Sequence, residues 1–478
     1  MSSTFATARG LVCEQLVEIL PSFPDLPSSG PDLTRLAPRD AALARAIDGA
    51  VRRRWLSLEA VLRARVSRDL HTLEPGVRAA LLAGAAQLLL LRRLPDHAVL
   101  HEAVEWTKRH VRVGAGNLVN AVLRAVIRMR DEASRGRLDA PATDTRRGES
   151  IDDEASARLG RNELPLDDGE VLRFREEIFP VDPASRLAAQ TSHGPAMVHR
   201  WMATHGATRA AALCLHGVAL PPTILRLMPG DSADAGEGDA LLLPHERRGF
   251  AVLAGEPGSL AKCLARSPAT WVQDPTSAAA VDACAALGPF DPGLIVDPCA
   301  GNGTKMRQLA HAFPRARLIA SDPDSARLAM IRGAAAATAS SGVAAASIEV
   351  VPAHELARRA AALGRDDLVL LDVPCSATGV LARRLEARYR LSPARLRRLV
   401  ELQQRMIRDG AALLRPGGRI LHSTCSVEPE ENERSGRGSR RRWRSGGSAE
   451  SILPAAALGD APTSQGDGGR LGLFGPVA

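Results

Sequence analysis

The chain has 478 residues, too many for one ordinary domain, so its length implies a modular protein. Its seven cysteines are odd in number, widely spaced and never arranged as CxxC, which argues against a disulfide framework and gives no zinc signature. The net charge of +8 is carried mostly by arginine and suits a nucleic-acid partner, although a GC-rich genome would raise Arg and Ala in the same way. Aromatics make up only 3% of the chain, which disfavours a recognition surface of stacked rings. MSSTFATARG has no charged n-region with an apolar h-region, and no uninterrupted apolar stretch reaches the ~18 residues of a membrane span, so a soluble cytoplasmic protein is expected.

Residues 4 to about 130 carry helical periodicity, with stripes such as Leu43, Ile47, Val51 and Trp55, then Leu118, Val119, Val122, Leu123 and Val126. An all-α domain of about five to seven helices is predicted, with a turn at Glu74-Pro75-Gly76 and Asp96 as the N-cap of HAVLHEAVEWTKRHV. Residues 131–180 are read as a linker, because most of them are polar, charged and poor in large apolar side chains. From 181 to 265, helix-like MVHRWMATHG and ATRAAALCLHGVA precede strand-like GFAVLAG, a small α+β module.

Residues 266–433 alternate short β-type runs with helices in the order that a doubly wound α/β sheet requires. LIVDP, ARLIASD, ASIEVV, DLVLLD and GRILHS are the predicted strands. Ligands of such sheets lie at the carboxyl ends of strands, and Asp297, Asp322, Asp372 and Cys425 all fall there. DPCAGNGTK, from Asp297 to Lys305, ends a strand with a glycine turn and opens a helix, so its backbone N–H groups face a ligand. It contains neither a Walker loop nor a full GxGxxG, and Asp322 is placed to accept ribose hydroxyls. The thiols of Cys375, in LDVPCSATGV, and Cys425, in HSTCS, leave metal, disulfide and nucleophile open on their own.

DPCAGNGTK, SDPD, LDVPCSATGV, LRPGGRILHSTCSVEPEENE and WVQDPTSAAAV together resemble the S-adenosylmethionine-dependent RNA cytosine-5 methyltransferases. LPDHAVLHEAVEWTKRHVRVGAGNLVNAVLRAV resembles the NusB-like RNA-binding domain. The resemblance implies a NusB-like domain at 1–130, the small module at 181–265 as RNA-binding, and a Rossmann-like methyltransferase domain at 266–433. It implies methyl transfer from S-adenosylmethionine to C5 of a cytidine in small-subunit ribosomal RNA, by a monomer that needs no metal. Cys425 would be the nucleophile, Cys375 would assist product release, and Asp372 would stabilise the N3-protonated base. Cys299, Ala300, Gly301, Asn302, Gly303, Thr304 and Lys305 would hold the cofactor, with Asp322 and Asp372.

The chain departs from the family pattern in three places. GNGT replaces the commoner APGG, and the acidic residue usual after the third strand is missing, with Ala353, His354 or Glu355 in its neighbourhood. Residues 434–478 show no convincing strand pair and are expected to be a disordered basic tail, produced either by a frame shift or as an RNA-binding extension. A non-catalytic assembly factor and a DNA cytosine methyltransferase are the rival readings. The second would use Cys375 as nucleophile, and HSTCS with the NusB-like region argues against it.

Overall fold

A computed structural model describes residues 7–131, 136–137, 159–228, 240–255, 258–286, 290–364, 366–434, 451–453 and 469–474. The chain divides into two compact units, one built from residues up to Leu220 together with Leu381–Ser392, the other from Pro221–Val380 and most of the chain after Pro393.

The first unit opens with five helices, α1 (Ala8–Ile19), α2 (Pro38–Arg63), α3 (Pro75–Leu90), α4 (Asp96–His110) and α5 (Val113–Met129). Their apolar stripes meet in one core around Leu16, Ile47, Trp55, Leu81 and Leu123. Two local expectations change. Glu74-Pro75-Gly76 is a helix start, with Pro75 in the first turn where its missing N–H costs nothing. Asp96 is the first residue of α4 and makes no capping bond; its carboxylate pairs with Arg130.

The expected linker is partly ordered. Short strands β1 (Gly136–Arg137), β2 (Glu163–Pro165) and β3 (Glu170–Arg173) form an antiparallel sheet. Leu164, Leu172, Phe174 and Phe179 complete the helical core. These apolar residues are too few for a fold of their own, but the helices supply the surface they lack. Residues 138–158 lie outside the described residues. Helices α6 (Pro183–Thr191), α7 (Pro195–His205) and α8 (Ala207–Val218) also belong to this unit, so the boundary expected near 180 falls at 220.

In the second unit, β4 (Thr223–Arg226), β5 (Ala240–Pro244), β6 (Phe250–Gly255) and, after α9 (Ser259–Arg266), β7 (Trp271–Val272) make a sheet ordered β5-β6-β4-β7. Ile224, Phe250 and Val252 pack on Ala278 of α10 (Pro275–Ala285). The main sheet follows, with β8 (Leu294–Asp297), α11 (Thr304–Ala312), β9 (Arg317–Ala320), α12 (Ser325–Ala339), β10 (Ser347–Val350), α13 (Leu356–Ala362) and β11 (Asp366–Asp372). After α14 (Ala387–Arg390), which belongs to the first unit, come α15 (Pro393–Leu413) and β12 (Leu414–Thr424). The five strands predicted from sequence run parallel in the order β10-β9-β8-β11-β12, and apolar clusters cover both faces.

The tail corrects the expectation of disorder. β13 (Ser451–Leu453) and β14 (Gly469–Phe474) pair with each other, and β14 pairs antiparallel with β12, giving a seven-stranded sheet. The open edge of β12 presents unpaired N–H and C=O groups, and this long-range partner overrides the weak strand propensity of the tail. The remaining tail residues lie outside the described ones.

Candidate active site

The chain reverses its direction of sheet growth between β8 and β11, and the crevice at that switch point opens at the carboxyl ends of the strands. Asp297 and Asp372 end β8 and β11, Asp322 lies just beyond β9, and Cys425 directly follows β12. Cys375 sits on the loop after β11. The residues singled out from sequence therefore converge on one edge of one sheet.

The loop after β8 is shaped by two left-handed glycines, Gly301 at φ +57° and Gly303 at φ +80°. A Cβ at Gly303 would come within 3.0 Å of Ala334 Cβ, whereas one at Gly301 would meet nothing within 4 Å. Gly303 therefore serves packing against α12, and Gly301 faces open space. Asp322 is buried and accepts hydrogen bonds from the Gly301 N–H at 3.1 Å and the Asp324 N–H at 2.9 Å, with Arg327 at 3.5 Å. Cys299, Ala300, Asn302 and Thr304 fill the rest of this loop and the first position of α11.

Asp297 is buried, and its Oδ1 accepts the Cys299 N–H at 3.1 Å while its Oδ2 has no hydrogen-bond partner. Burial first, and then the charge of Asp372, push its pKa up to about 8. Burial and the carboxylates of Asp297, Asp322 and Asp372 push the Cys299 thiol up to about 12. Lys305 Nζ lies 2.7 Å from Asp372 Oδ2. Burial opposes the lysine charge, but Asp372, Cys425 and Asp297 outweigh it and raise the Lys305 pKa. Lys305 meets Asp372 and Arg327 meets Asp322, while Asp297, its pKa raised, adds an acceptor to the cradle rather than a further negative charge.

At the other end of the crevice, Cys375 Sγ and Cys425 Sγ are 2.9 Å apart. The hydrogen bond to Cys425, then burial, then the charges of Cys425 and Glu431 hold the Cys375 thiol well above its ordinary pKa. Ala377, two residues after Cys375, has φ +60°, a left-handed conformation costing a non-glycine residue about 1 kcal/mol or more. The sequence reading missed what supports these thiols. Ser376 and Ser426, the residues following each cysteine, are joined Oγ to Oγ at 2.9 Å, and Glu431 accepts the Ser376 N–H at 2.9 Å. The signal was present in the acidic run EPEENE after the second thiol, but nothing local shows which acid turns inward. Ala353, His354 and Glu355 follow β10 as one helical turn, and His354 and Glu355 face each other at 3.6 Å.

Among the described residues no cluster of three or more His, Cys, Asp or Glu could hold a metal, and no helix is long and apolar enough to cross a membrane. Parallel strands feeding a carboxyl-edge crevice of this kind give the second unit a Rossmann-like fold. The fold of the chain resembles the crystal structure of PH0851, with a TM-score of 0.66 and 16% identity across 98% of each chain. Residues 284–437 match the family described as 16S rRNA methyltransferase RsmB/F, and residues 27–128 match the NusB family. The Ribosomal RNA small subunit methyltransferase B of Xanthomonas campestris pv. campestris is 30% identical over 397 residues, covering 83% of this chain and 78% of that protein. Its namesake in Vibrio cholerae is 28% identical over 415 residues, covering 83% and 80%. The chain belongs to this family of ribosomal RNA small subunit methyltransferases.

Proposed function

We propose that the enzyme methylates C5 of a cytidine in small-subunit (16S) ribosomal RNA, using S-adenosylmethionine, through a covalent bond between Cys425 and C6 of the base. One observation carries this reading: two thiols 2.9 Å apart, beside a Lys305–Asp372 ion pair, at the carboxyl ends of adjacent parallel strands. C5 of cytosine is a poor nucleophile. Addition of the Cys425 thiolate to C6 makes C5 enamine-like, and Asp372 lowers the cost of that addition by stabilising the N3-protonated base. Loss of the C5 proton and breakage of the C6–S bond then free the product, and Cys375, whose thiol is held protonated next to Cys425, assists that release.

The cofactor reading rests on the cradle. The unpartnered Asp297 Oδ2, the open space beside Gly301 and the carboxyl groups around it offer acceptors to a ligand that carries an ammonium. Residues 299–305 with Asp322 would hold it. Bound S-adenosylmethionine supplies an electrophilic methyl group. The helical first unit, with its match to the NusB family, is read as the part that holds the RNA, in a cytoplasmic enzyme.

Bisulfite sequencing of 16S ribosomal RNA from cells with and without the gene tests the proposal. One cytidine protected only when the gene is present is expected. An identical conversion pattern in both strains refutes the assignment.

A further inference from the structure

We infer that Glu431 is the positioning residue for the paired thiols, gripping the Cys375 loop from the segment that follows Cys425 and so fixing the approach of the two sulfurs. The inference rests on the reaction proposed above and adds a residue to it. Glu431 is fully buried on a helical turn, Glu430–Arg434. Its Oε1 accepts the Ser376 N–H at 2.9 Å and Gln403 Nε2 at 2.9 Å, and its Oε2 bonds the Ser376 hydroxyl. Gln403, on α15, donates in the same way to the Pro374 carbonyl at 3.0 Å. One carboxylate therefore holds the residue after Cys375, and through Gln403 the residue before it. The hydroxyl of Ser426 closes the loop by reaching Ser376 at 2.9 Å and Thr378 at 3.3 Å.

Among the described residues no lysine, arginine or histidine forms an ion pair with Glu431. A carboxylate buried among neutral donors costs stability that an apolar side chain would not, and burial raises its pKa. A fold that only needed to close this space would not require it. What the carboxylate provides is two acceptor bonds to the Ser376 backbone and hydroxyl and a third to Gln403, which together aim Cys375, while its charge stays beside that thiol. Ala377 keeps its left-handed backbone inside this same loop, as expected where surrounding bonds over-determine a strained residue.

The test compares full-length wild type, Glu431→Gln and Glu431→Ala. It measures methyl transfer to 16S RNA, calorimetric affinity for S-adenosylmethionine, and iodoacetamide alkylation of Cys375 against pH, followed by mass spectrometry without RNA. Glu431→Ala should lose about a hundredfold in kcat, the cost of a small misplacement at the reacting atoms, with cofactor affinity retained. Glu431→Gln keeps one acceptor and recovers most of that loss, while the midpoint of Cys375 alkylation moves to lower pH because the neighbouring charge is gone. Wild-type kcat in Glu431→Ala, or an unchanged alkylation midpoint in Glu431→Gln, overturns the inference. If Glu431→Ala does not fold, the Glu431→Gln midpoint decides alone. Absence of C5 methylation by the wild type would instead sink the reaction, and the alkylation profile would still judge Glu431.

Discussion

Cys375 Sγ stands 2.9 Å from Cys425 Sγ, each thiol on the loop that leaves one of two adjacent parallel strands. Their assigned roles give opposite failures. Cys425→Ala should abolish both methyl transfer and any covalent RNA complex. Cys375→Ala should accumulate a protein–RNA adduct that survives a denaturing gel, because attack proceeds and release does not. A DNA-type assignment reverses the two outcomes, and labelled RNA with cofactor on a single gel distinguishes them.

Asp322 holds the Gly301 N–H at 3.1 Å and the Asp324 N–H at 2.9 Å. Asp322→Ala removes these bonds from the cofactor loop together with any to ribose hydroxyls. Bonds to a charged acceptor contribute roughly 1.5–3 kcal/mol each, so calorimetry should show S-adenosylmethionine affinity falling tenfold or more, at about 1.4 kcal/mol per decade. Equal affinity in mutant and wild type would remove Asp322 from the site.

The pKa of Asp297, raised from 3.8 to about 8, makes the ligand-free protein sensitive to pH. Between those values the folded state holds a proton that the unfolded chain has released. The stabilisation is therefore fully present below the unfolded pKa and is lost as pH rises through the folded one. Thermal unfolding of the ligand-free protein should lose this contribution between about pH 4 and pH 8, and Asp297→Asn should flatten that part of the profile. Parallel profiles for the two proteins would contradict the proton on Asp297.

Tyr389, in the segment Leu381–Ser392, lies in the core of the first unit. Its hydroxyl donates to the Arg52 carbonyl at 2.7 Å, accepts the Trp55 N–H at 3.2 Å and meets Ser192 Oγ at 2.9 Å. Tyr389→Phe removes the bonds to the Arg52 carbonyl and the Trp55 N–H, while Ser192 Oγ keeps the Leu56 N–H at 2.9 Å, a loss of about 1–3 kcal/mol. Hydrogen exchange of α2 amides in the full chain should accelerate about fivefold or more, at about 1.4 kcal/mol per decade. Unchanged exchange at Trp55 would show that the hydroxyl contributes nothing to the unit.

The sequence alone determined what depends on local pattern. Helical periodicity marked residues 4 to about 130 as all-α, short apolar runs marked the five parallel strands, and an Asp or Cys after four of those runs marked the edge where reactive groups gather, because side-chain period and turn chemistry act within about ten residues. The tertiary structure alone decided the rest. Residues 469–474 are a strand because the edge of β12 needed a partner. Phe174, Phe179 and Tyr389 are core residues because α1 to α5 leave room for them. Glu431 was one acid among several in EPEENE until folding carried it to Ser376, 55 residues away in the chain. Each of these outcomes depends on a partner distant in sequence, whose burial and hydrogen bonding no local window contains.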